Sequence, residues 1–285
     1  MTTGILLAGG SGKRLFPLTS FTNKHLLNIY NKPMIFYSLS VLLLLGIKKI
    51  VIVINTNDKK NFFKIFNNFK HMGISFKFCY QDKPKGILDG LKLAKKKINQ
   101  NEDVFLILGD NIFYGETFPK NLEINNNSKV FLYRVTNPKD YGVAKIKNDK
   151  IISIVEKPKN VFSDLAVTGL YFYKSKDFKF INKINYSKRG ELEITDFNNL
   201  IIKNSKLDYQ ILGRGSYWID TGTFSGFLNA SNYIKSIQDR TNLEIGCIEE
   251  ICLIKKFILK KNLKRIVSKY PSSDYKDYLL NKILK

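Results

Sequence analysis

Histidine, cysteine and tryptophan are the scarce chemistry of this chain, with 2, 3 and 1 copies among 285 residues. Cys79, Cys247 and Cys252 stand at no metal-ligand spacing, and their odd number argues against a disulfide framework. With only His25 and His71 beside them, a zinc site is not expected, and the cysteines read as structural thiols of a reducing cytoplasm. Long apolar runs are missing too: the longest, around Leu42-Leu43-Leu44-Leu45, stops at Gly46 and is too short to span a bilayer. Met1-Thr2-Thr3-Gly4 leads directly into a first strand rather than through a basic-then-apolar leader, so a cytoplasmic protein with no membrane partner is expected. Pro/Gly/Ser linkers and internal repeats are also absent, which favours one elaborated unit.

Acidic residues are outnumbered, 24 against 47 Lys and Arg, for a net charge of +23. Such a charge would suit a nucleic-acid binder. The composition argues otherwise. Of the cations 41 are Lys and 6 Arg, Ala occurs 5 times, and Asn and Ile abound, which is the bias of AT-rich codons. The lysines are spread along the chain, so they read as a solvated surface with no nucleic-acid partner. Their field still favours anionic substrates.

What is present is an alternation of apolar strands and helical stretches. Lys49 to Ile54 is β-branched and continuous, the mark of a buried parallel strand. Met34 to Leu45 reads as a helix ended by Gly46, and Asp58 to Lys70 as another with Phe62, Ile65, Phe66 and Phe69 on one face. Ser75 to Tyr80 is a strand, Ile87 to Ile98 a helix, and Val104 to Leu108 a buried strand. This repetition predicts an α/β fold with a mainly parallel, doubly wound sheet whose ligands sit at the carboxyl ends of strands. Past residue 129 the strands crowd together: Lys129–Val135, Gly142–Lys147 and Ile151–Glu156, with a hairpin turn at Asn148-Asp149. A helix over 191–205, a strand near Tyr209 to Leu212 and a mostly helical tail follow. The expected division is a core over residues 1–223 and a C-terminal helical appendage over residues 224–285. Within the core, residues 1–128 are expected to bind the nucleotide and residues 129–223 the sugar.

The segment Leu7-Ala8-Gly9-Gly10-Ser11-Gly12-Lys13-Arg14-Leu15 follows the first strand directly, and Lys24 comes ten residues after Arg14. Closely spaced glycines let bare N–H groups approach an anion, and Arg and Lys add full charges, which together make a polyphosphate cradle. It is not a P-loop, because Arg14 replaces the Ser/Thr after Gly12-Lys13, and not a dinucleotide fingerprint, because Leu15 replaces the third glycine. Downstream, Leu108-Gly109-Asp110-Asn111 closes a buried strand, and Trp218-Ile219-Asp220-Thr221-Gly222-Thr223 places a second aspartate beside a glycine turn. A carboxylate at a strand's carboxyl end can hold Mg²⁺ against phosphates. Gln81 ends the third strand, and its amide can pair with both a donor and an acceptor of a pyrimidine edge.

The loop with Arg14, Pro17, Lys24 and Lys32-Pro33-Met34 resembles the sugar-nucleotide pyrophosphorylase signature. Leu108–Gly115 (LGDNIFYG), Ala166–Tyr173 (AVTGLYFY), Arg189–Asp196 (RGELEITD) and Trp218–Thr223 (WIDTGT) resemble, in order, those of the glucose-1-phosphate thymidylyltransferase family. The resemblance runs from Gly4 to about Lys282. It implies a Rossmann-like nucleotidyltransferase that needs Mg²⁺ and assembles as a homotetramer. The implied reaction joins dTTP and glucose 1-phosphate into dTDP-glucose and pyrophosphate, towards dTDP-deoxysugars such as dTDP-rhamnose for polysaccharides.

By the same resemblance Arg14 and Lys24 are catalytic, Asp110 and Asp220 hold the metal, and Leu7, Gly9, Gly10, Ser11, Gly12, Gln81, Gly86 and Asp110 bind the nucleotide. Tyr141, Gly142, Glu156, Lys157, Val167, Thr168 and Gly169 form the sugar-phosphate pocket. The chain departs from the family pattern at Lys13, at His25 and at Leu88-Asp89, where Leu88 in place of a small residue is expected to crowd the nucleotide pocket. The nearest alternatives are uridylyl or cytidylyl transfer, and a non-catalytic sugar-nucleotide sensor, against which the retained Arg14, Lys24 and aspartates count.

Overall fold

The computed structural model describes residues 2–115 and 126–285. Its first strand, β1 (Thr2–Leu7), runs into three short 3-10 turns, then a two-residue ladder of β2 (Asn28–Ile29) with β3 (Lys32–Pro33). Helix α1 (Met34–Leu44), strand β4 (Lys49–Asn55), helix α2 (Lys59–Phe66), strand β5 (Ser75–Gln81), helix α3 (Ile87–Lys95) and strand β6 (Asp103–Leu108) complete the alternating half. Gly46 ends the α1 segment with φ of 83°, a left-handed conformation that suits a residue without Cβ. Strands β6, β1, β4 and β5 lie side by side and all parallel.

Parallel pairing stops there. Beyond β6 come β7 (Asn111–Tyr114), β8 (Ser128–Arg134), β9 (Gly142–Lys147), β10 (Lys150–Glu156), β11 (Leu165–Tyr173), helix α4 (Ile194–Asn204), β12 (Leu207–Ile211) and β13 (Tyr217–Asp220). Strand β11 runs antiparallel to β6, β8 and β9, β9 and β10 form a hairpin, and β12 alone is parallel to its neighbour β8. The nine-stranded sheet is therefore mixed, in the order β10-β9-β11-β6-β1-β4-β5 with β8 and β12 branching from β11. The expected mainly parallel arrangement holds only for the first half. One antiparallel pair, β9 with β10, follows from connection length: Asn148 and Asp149, with φ of 49° and 54°, turn the chain in two residues, and a two-residue turn can only join antiparallel strands.

Alternate residues of the central strands feed two cores. Leu6, Ile50, Ile52, Ile54, Phe105 and Ile107 face α1 and α2, while Ile5, Val51, Val53, Val104 and Leu106 face α3 and α4. Helix α1 is apolar on nearly every side because it lies between the sheet and α6 (Ile248–Ile254). The tail folds as α5 (Phe224–Thr241), α6, α7 (Lys260–Val267) and α8 (Asp274–Tyr278), ending in a short π-turn. Its Cys252, Leu263, Val267 and Leu279 belong to the same buried cluster as the first sheet face. Buried Glu249 accepts from Tyr270 Oη at 2.8 Å and Tyr275 Oη at 2.6 Å, which ties the last helices to α6. No helix among the described residues is long and apolar enough to cross a membrane.

Because tail and sheet share one core, Leu263→Ala should destabilise the whole chain by about 2–5 kcal/mol, the usual cost of emptying a buried leucine site. Denaturant unfolding followed by both fluorescence and circular dichroism should remain a single transition at lower midpoint. Two separated transitions would contradict a shared core.

Candidate functional site

Register brings the carboxyl ends of β1, β4 and β6 level, with Leu7 opposite both Val53 and Leu108. Ala8 N–H then donates to Val53 O at 2.8 Å and Gly109 N–H to Leu7 O at 2.8 Å, which anchors the loops that leave the sheet. Above this edge opens a cleft of about 860 Å³. Every residue that the sequence marks for a site lines it, from Leu7, Gly9, Gly10, Ser11 and Gly12 to Val167, Thr168 and Gly169. A cavity of similar volume, about 890 Å³, lies between the β9–β10 hairpin and the α4–β12 connection and contains none of them.

Lys24 sits in a 3-10 turn capped by Asn23, whose side-chain oxygen accepts from His25 N–H at 3.0 Å. The residue is 9% exposed, and its ammonium forms an ion pair with Asp110 Oδ2. Asp110 is brought to Asp220 by the β7–β13 ladder, which pairs Asn111 with Asp220. Thr221 then donates twice to the Asp110 carbonyl, from N–H at 2.9 Å and from Oγ1 at 2.7 Å. Arg14 lies against the Asp220–Gly222 turn.

The electrostatics follow from this crowding. Burial pushes the Asp110 carboxyl up, but Lys24, His25 and hydrogen bonds from Lys24 and Asn111 overcome it and hold the group below its usual range. Asp220 is pushed up, first by burial and then by the charge of Asp110, against the Gly222 N–H, Lys24 and Arg14. A second negative charge is thus unwelcome beside the first until a cation joins them. Two facing carboxylates match what a hard dication takes from a protein when phosphates and water supply its other ligands. Among the described residues no cluster of three or more His, Cys, Asp or Glu offers a fuller cage.

On the β5 side, Gln81 lies over the glycine loop, where a Cβ on Gly9 would come within 1.8 Å of its Nε2. Gly86 lines the same wall, and its loop is held by Leu192 N–H donating to Lys85 O at 2.7 Å. Leu88 corrects an expectation. It is fully buried beneath α3 among Ile5, Val51 and Leu106, while Gly90 faces the cleft, so Leu88 does not crowd the pocket. Helical phase, invisible in a residue-for-residue reading of the motif, turned the larger side chain inward.

On the opposite wall stand Tyr141, Gly142, Glu156 and Lys157. Glu156 Oε2 accepts from Thr195 Oγ1 at 2.9 Å, and Lys157 takes φ of 46°, an unusual conformation for a lysine, with its N–H on Tyr141 O at 2.9 Å. Three residues were not singled out by sequence. Asn111 accepts from Gly169 N–H at 3.0 Å and Trp218 Nε1 at 2.7 Å and donates to Asp110 Oδ1 at 3.0 Å, joining both walls. A Cβ on Gly169 would fall 2.4 Å from that oxygen, so only glycine fits there. Trp218 and Arg189 also line the cleft. Arg189 was legible in principle, being a cation at the head of a quoted motif.

Burial, reinforced by Lys24, pushes His25 down to about 3, although Asp110 and the Ala8 carbonyl oppose this. The folded state therefore disfavours the imidazolium. Its contribution to stability is complete above 6.5 and is lost as pH falls towards 3. The His25 ring should show no titration by NMR between about pH 5 and pH 8. His25→Gln should lose less stability than the unsubstituted chain as the solution is acidified, read by denaturant midpoints.

Comparison with known proteins gives the family and the fold. Residues 3–237 match the family model described as nucleotidyl transferase. A glucose-1-phosphate thymidylyltransferase of Neisseria meningitidis is 39% identical, over 99% of each chain. One from Mycolicibacterium smegmatis is 37% identical over 97% of each. The crystal structure of a candidate glucose-1-phosphate thymidylyltransferase from Bacillus anthracis, in complex with a sucrose, superposes with a TM-score of 0.75 at 39% identity, covering 82% of this chain and 95% of that one. A UDP-glucose pyrophosphorylase complexed with UDP-glucose shares the fold, with a TM-score of 0.73 at 23% identity. The chain belongs to the nucleotidyl transferase family.

Proposed function

We propose that the cleft joins dTTP to glucose 1-phosphate, releasing pyrophosphate and dTDP-glucose. The observation that carries this reading is the buried Lys24, set between a glycine loop and two facing aspartates at the carboxyl edge of a parallel sheet. In this reaction an oxygen of the sugar phosphate attacks the α-phosphorus, and the bond from that phosphorus to the bridging oxygen breaks. A phosphate monoester needs no general base, so the protein's work is to bring two anions together and to stabilise charge on the leaving group.

The backbone of Gly9, Gly10, Ser11 and Gly12 cradles the triphosphate. Arg14 stabilises the departing pyrophosphate, and Lys24, released from Asp110, neutralises the phosphates at the reacting centre. Asp110 and Asp220 hold Mg²⁺, which supplies a Lewis acid to the phosphoryl oxygens when bound. Gln81 and Gly86 read the base, with Leu7 beneath the nucleotide. Glu156 takes sugar hydroxyls, Lys157 the sugar phosphate, and Tyr141, Gly142, Val167, Thr168 and Gly169 shape the hexose pocket. Arg189 adds a second cation on that wall. Uracil presents the same edge as thymine and differs by one methyl, worth about 1–3 kcal/mol in an apolar pocket, so UTP should follow dTTP closely. The homotetramer implied by the family resemblance belongs to the same proposal.

Purified protein supplied with each of the common triphosphates and glucose 1-phosphate, scored for pyrophosphate, tests the reading directly. It expects dTTP to lead in kcat/KM, and leadership by ATP or GTP would overturn the base assignment.

Arg14→Ala and Lys24→Ala should each lower turnover about a hundredfold or more, the usual cost of one lost contact to developing charge. Their far-UV spectra should be unchanged, and near-normal rates would refute the assigned roles.

Turnover should also stop on chelation and return with Mg²⁺. Asp110→Asn and Asp220→Asn should each raise the concentration of Mg²⁺ needed for half-maximal rate, because amides are poor ligands for hard dications. A full rate in chelator would remove both aspartates from the metal role.

A further inference from the structure

Asp58 stands at the N-terminus of α2, where an aspartate ordinarily accepts from the backbone of the first turn. Here its side chain makes no such bond. Oδ2 instead accepts from Asn23 Nδ2 at 2.6 Å and from Asn55 Nδ2 at 3.2 Å. Each asparagine leads to one side of the cleft. Asn55 ends β4 in register with Gln81, and its Oδ1 accepts from Gln81 Nε2 at 3.5 Å. Asn23 caps the turn that carries Lys24, and its Oδ1 lies 2.7 Å from His25 Nδ1.

Polarity propagates along the Asn55 arm. An ionised carboxylate can only accept, whereas an amide has one donating and one accepting end. Asp58 therefore takes the NH₂ end of Asn55 and turns its carbonyl outward, whereas the Asn23 amide is also fixed by the backbone, its Nδ2 donating to Ala8 O at 3.2 Å and its Oδ1 accepting from His25 N–H at 3.0 Å. The Asn55 carbonyl then demands the NH₂ end of Gln81. The Asn23 carbonyl takes His25 N–H and stands 2.7 Å from His25 Nδ1 independently of that carboxylate. We propose that Asp58 is a positioning residue that sets the hydrogen-bond polarity of the nucleotide pocket, fixing which end of the Gln81 amide meets the base. The proposal rests on the reading of Gln81 as the base reader.

The consequence is a choice between pyrimidines. Thymine and uracil offer a donor at N3 beside carbonyl acceptors, while cytosine offers an acceptor at N3 beside an amino donor. A glutamine free to turn its amide serves both patterns. One whose NH₂ end is tethered serves one pattern better, so discrimination against cytosine resides in a carboxylate that never touches the base.

Asp58→Asn tests this with little change of shape, because an amide can present either end to its neighbours and so issues no demand. Steady-state kcat/KM for dTTP and for dCTP, each with glucose 1-phosphate, should show the dTTP preference falling about tenfold, the effect of one mispaired hydrogen bond. The gain should lie in KM for dCTP, with melting temperature little altered. The ¹⁵N signals of the His25 ring should be unchanged, because Ala8 O and His25 N–H still hold the Asn23 amide. Asn55→Leu should reproduce the loss of preference, because it cuts the arm that reaches Gln81. An unchanged dTTP preference in Asp58→Asn would overturn the proposal. So would an equal fall for both triphosphates with a lowered melting temperature, which marks a merely structural role. Failure of the unsubstituted protein to use any triphosphate would instead overturn the proposed function. Calorimetric affinities for dTDP and dCDP in the same variants would then carry the polarity comparison.

Discussion

One carbonyl group holds the two halves of the cleft together. Asp110 O accepts both the N–H and the hydroxyl of Thr221, a residue more than a hundred positions away. Those bonds extend the short β7–β13 ladder by one step and bring Asp220 to face Asp110 across a space that burial keeps poorly solvated. The arrangement costs free energy, because two carboxylates approach one another in a low dielectric. Lys24 offsets it at Asp110, while at Asp220 the Gly222 N–H, Lys24 and Arg14 oppose it without overcoming it. Protein cations and carboxylates are thus gathered closely in one poorly solvated cleft.

The same logic explains the hydrogen-bonded frame around the charges. Asn111 uses both ends of one amide to connect Asp110 with Gly169 and Trp218, so the Asp110 carboxylate and the β11 wall share a single rigid reference. On the β5 side of the cleft Asp58 accepts from both Asn23 and Asn55. Phosphoryl transfer depends on placing atoms rather than on acid–base chemistry, and fixed amide dipoles place atoms well. Large aromatic surfaces back this frame: Tyr141 and Tyr133 pack on Trp218 with ring centres 5.2 and 5.9 Å away.

The net charge of +23 enters as a background field rather than as a second binding activity. The cations that line the cleft, Lys13, Arg14, Lys24, Lys83, Lys157 and Arg189, converge on one side of the sheet. Such convergence focuses a field on polyanionic substrates, and dispersed surface lysines add to it without specificity.

Much of this was legible in the chain. Strand–helix alternation marked the parallel half because buried strands need continuous β-branched runs, and Lys49–Ile54 has one. The glycine loop, Arg14, Lys24 and both aspartates were visible because phosphate chemistry admits few residue types, and those types stand at the ends of strands. Sequence periodicity did not reveal that β11 would run antiparallel to β6, since pairing direction is settled by distant partners. Leu88 was misplaced because position along a motif says nothing of helical phase. Asn111, Asp58 and Asn55 passed unremarked because an amide or carboxylate acquires its role only from what it faces. Residue order alone was enough to establish which charges exist and most of the elements, though not β7, β11 or β13. Which of them meet was left to the folded chain, because that depends on register and on contacts between residues a hundred positions apart.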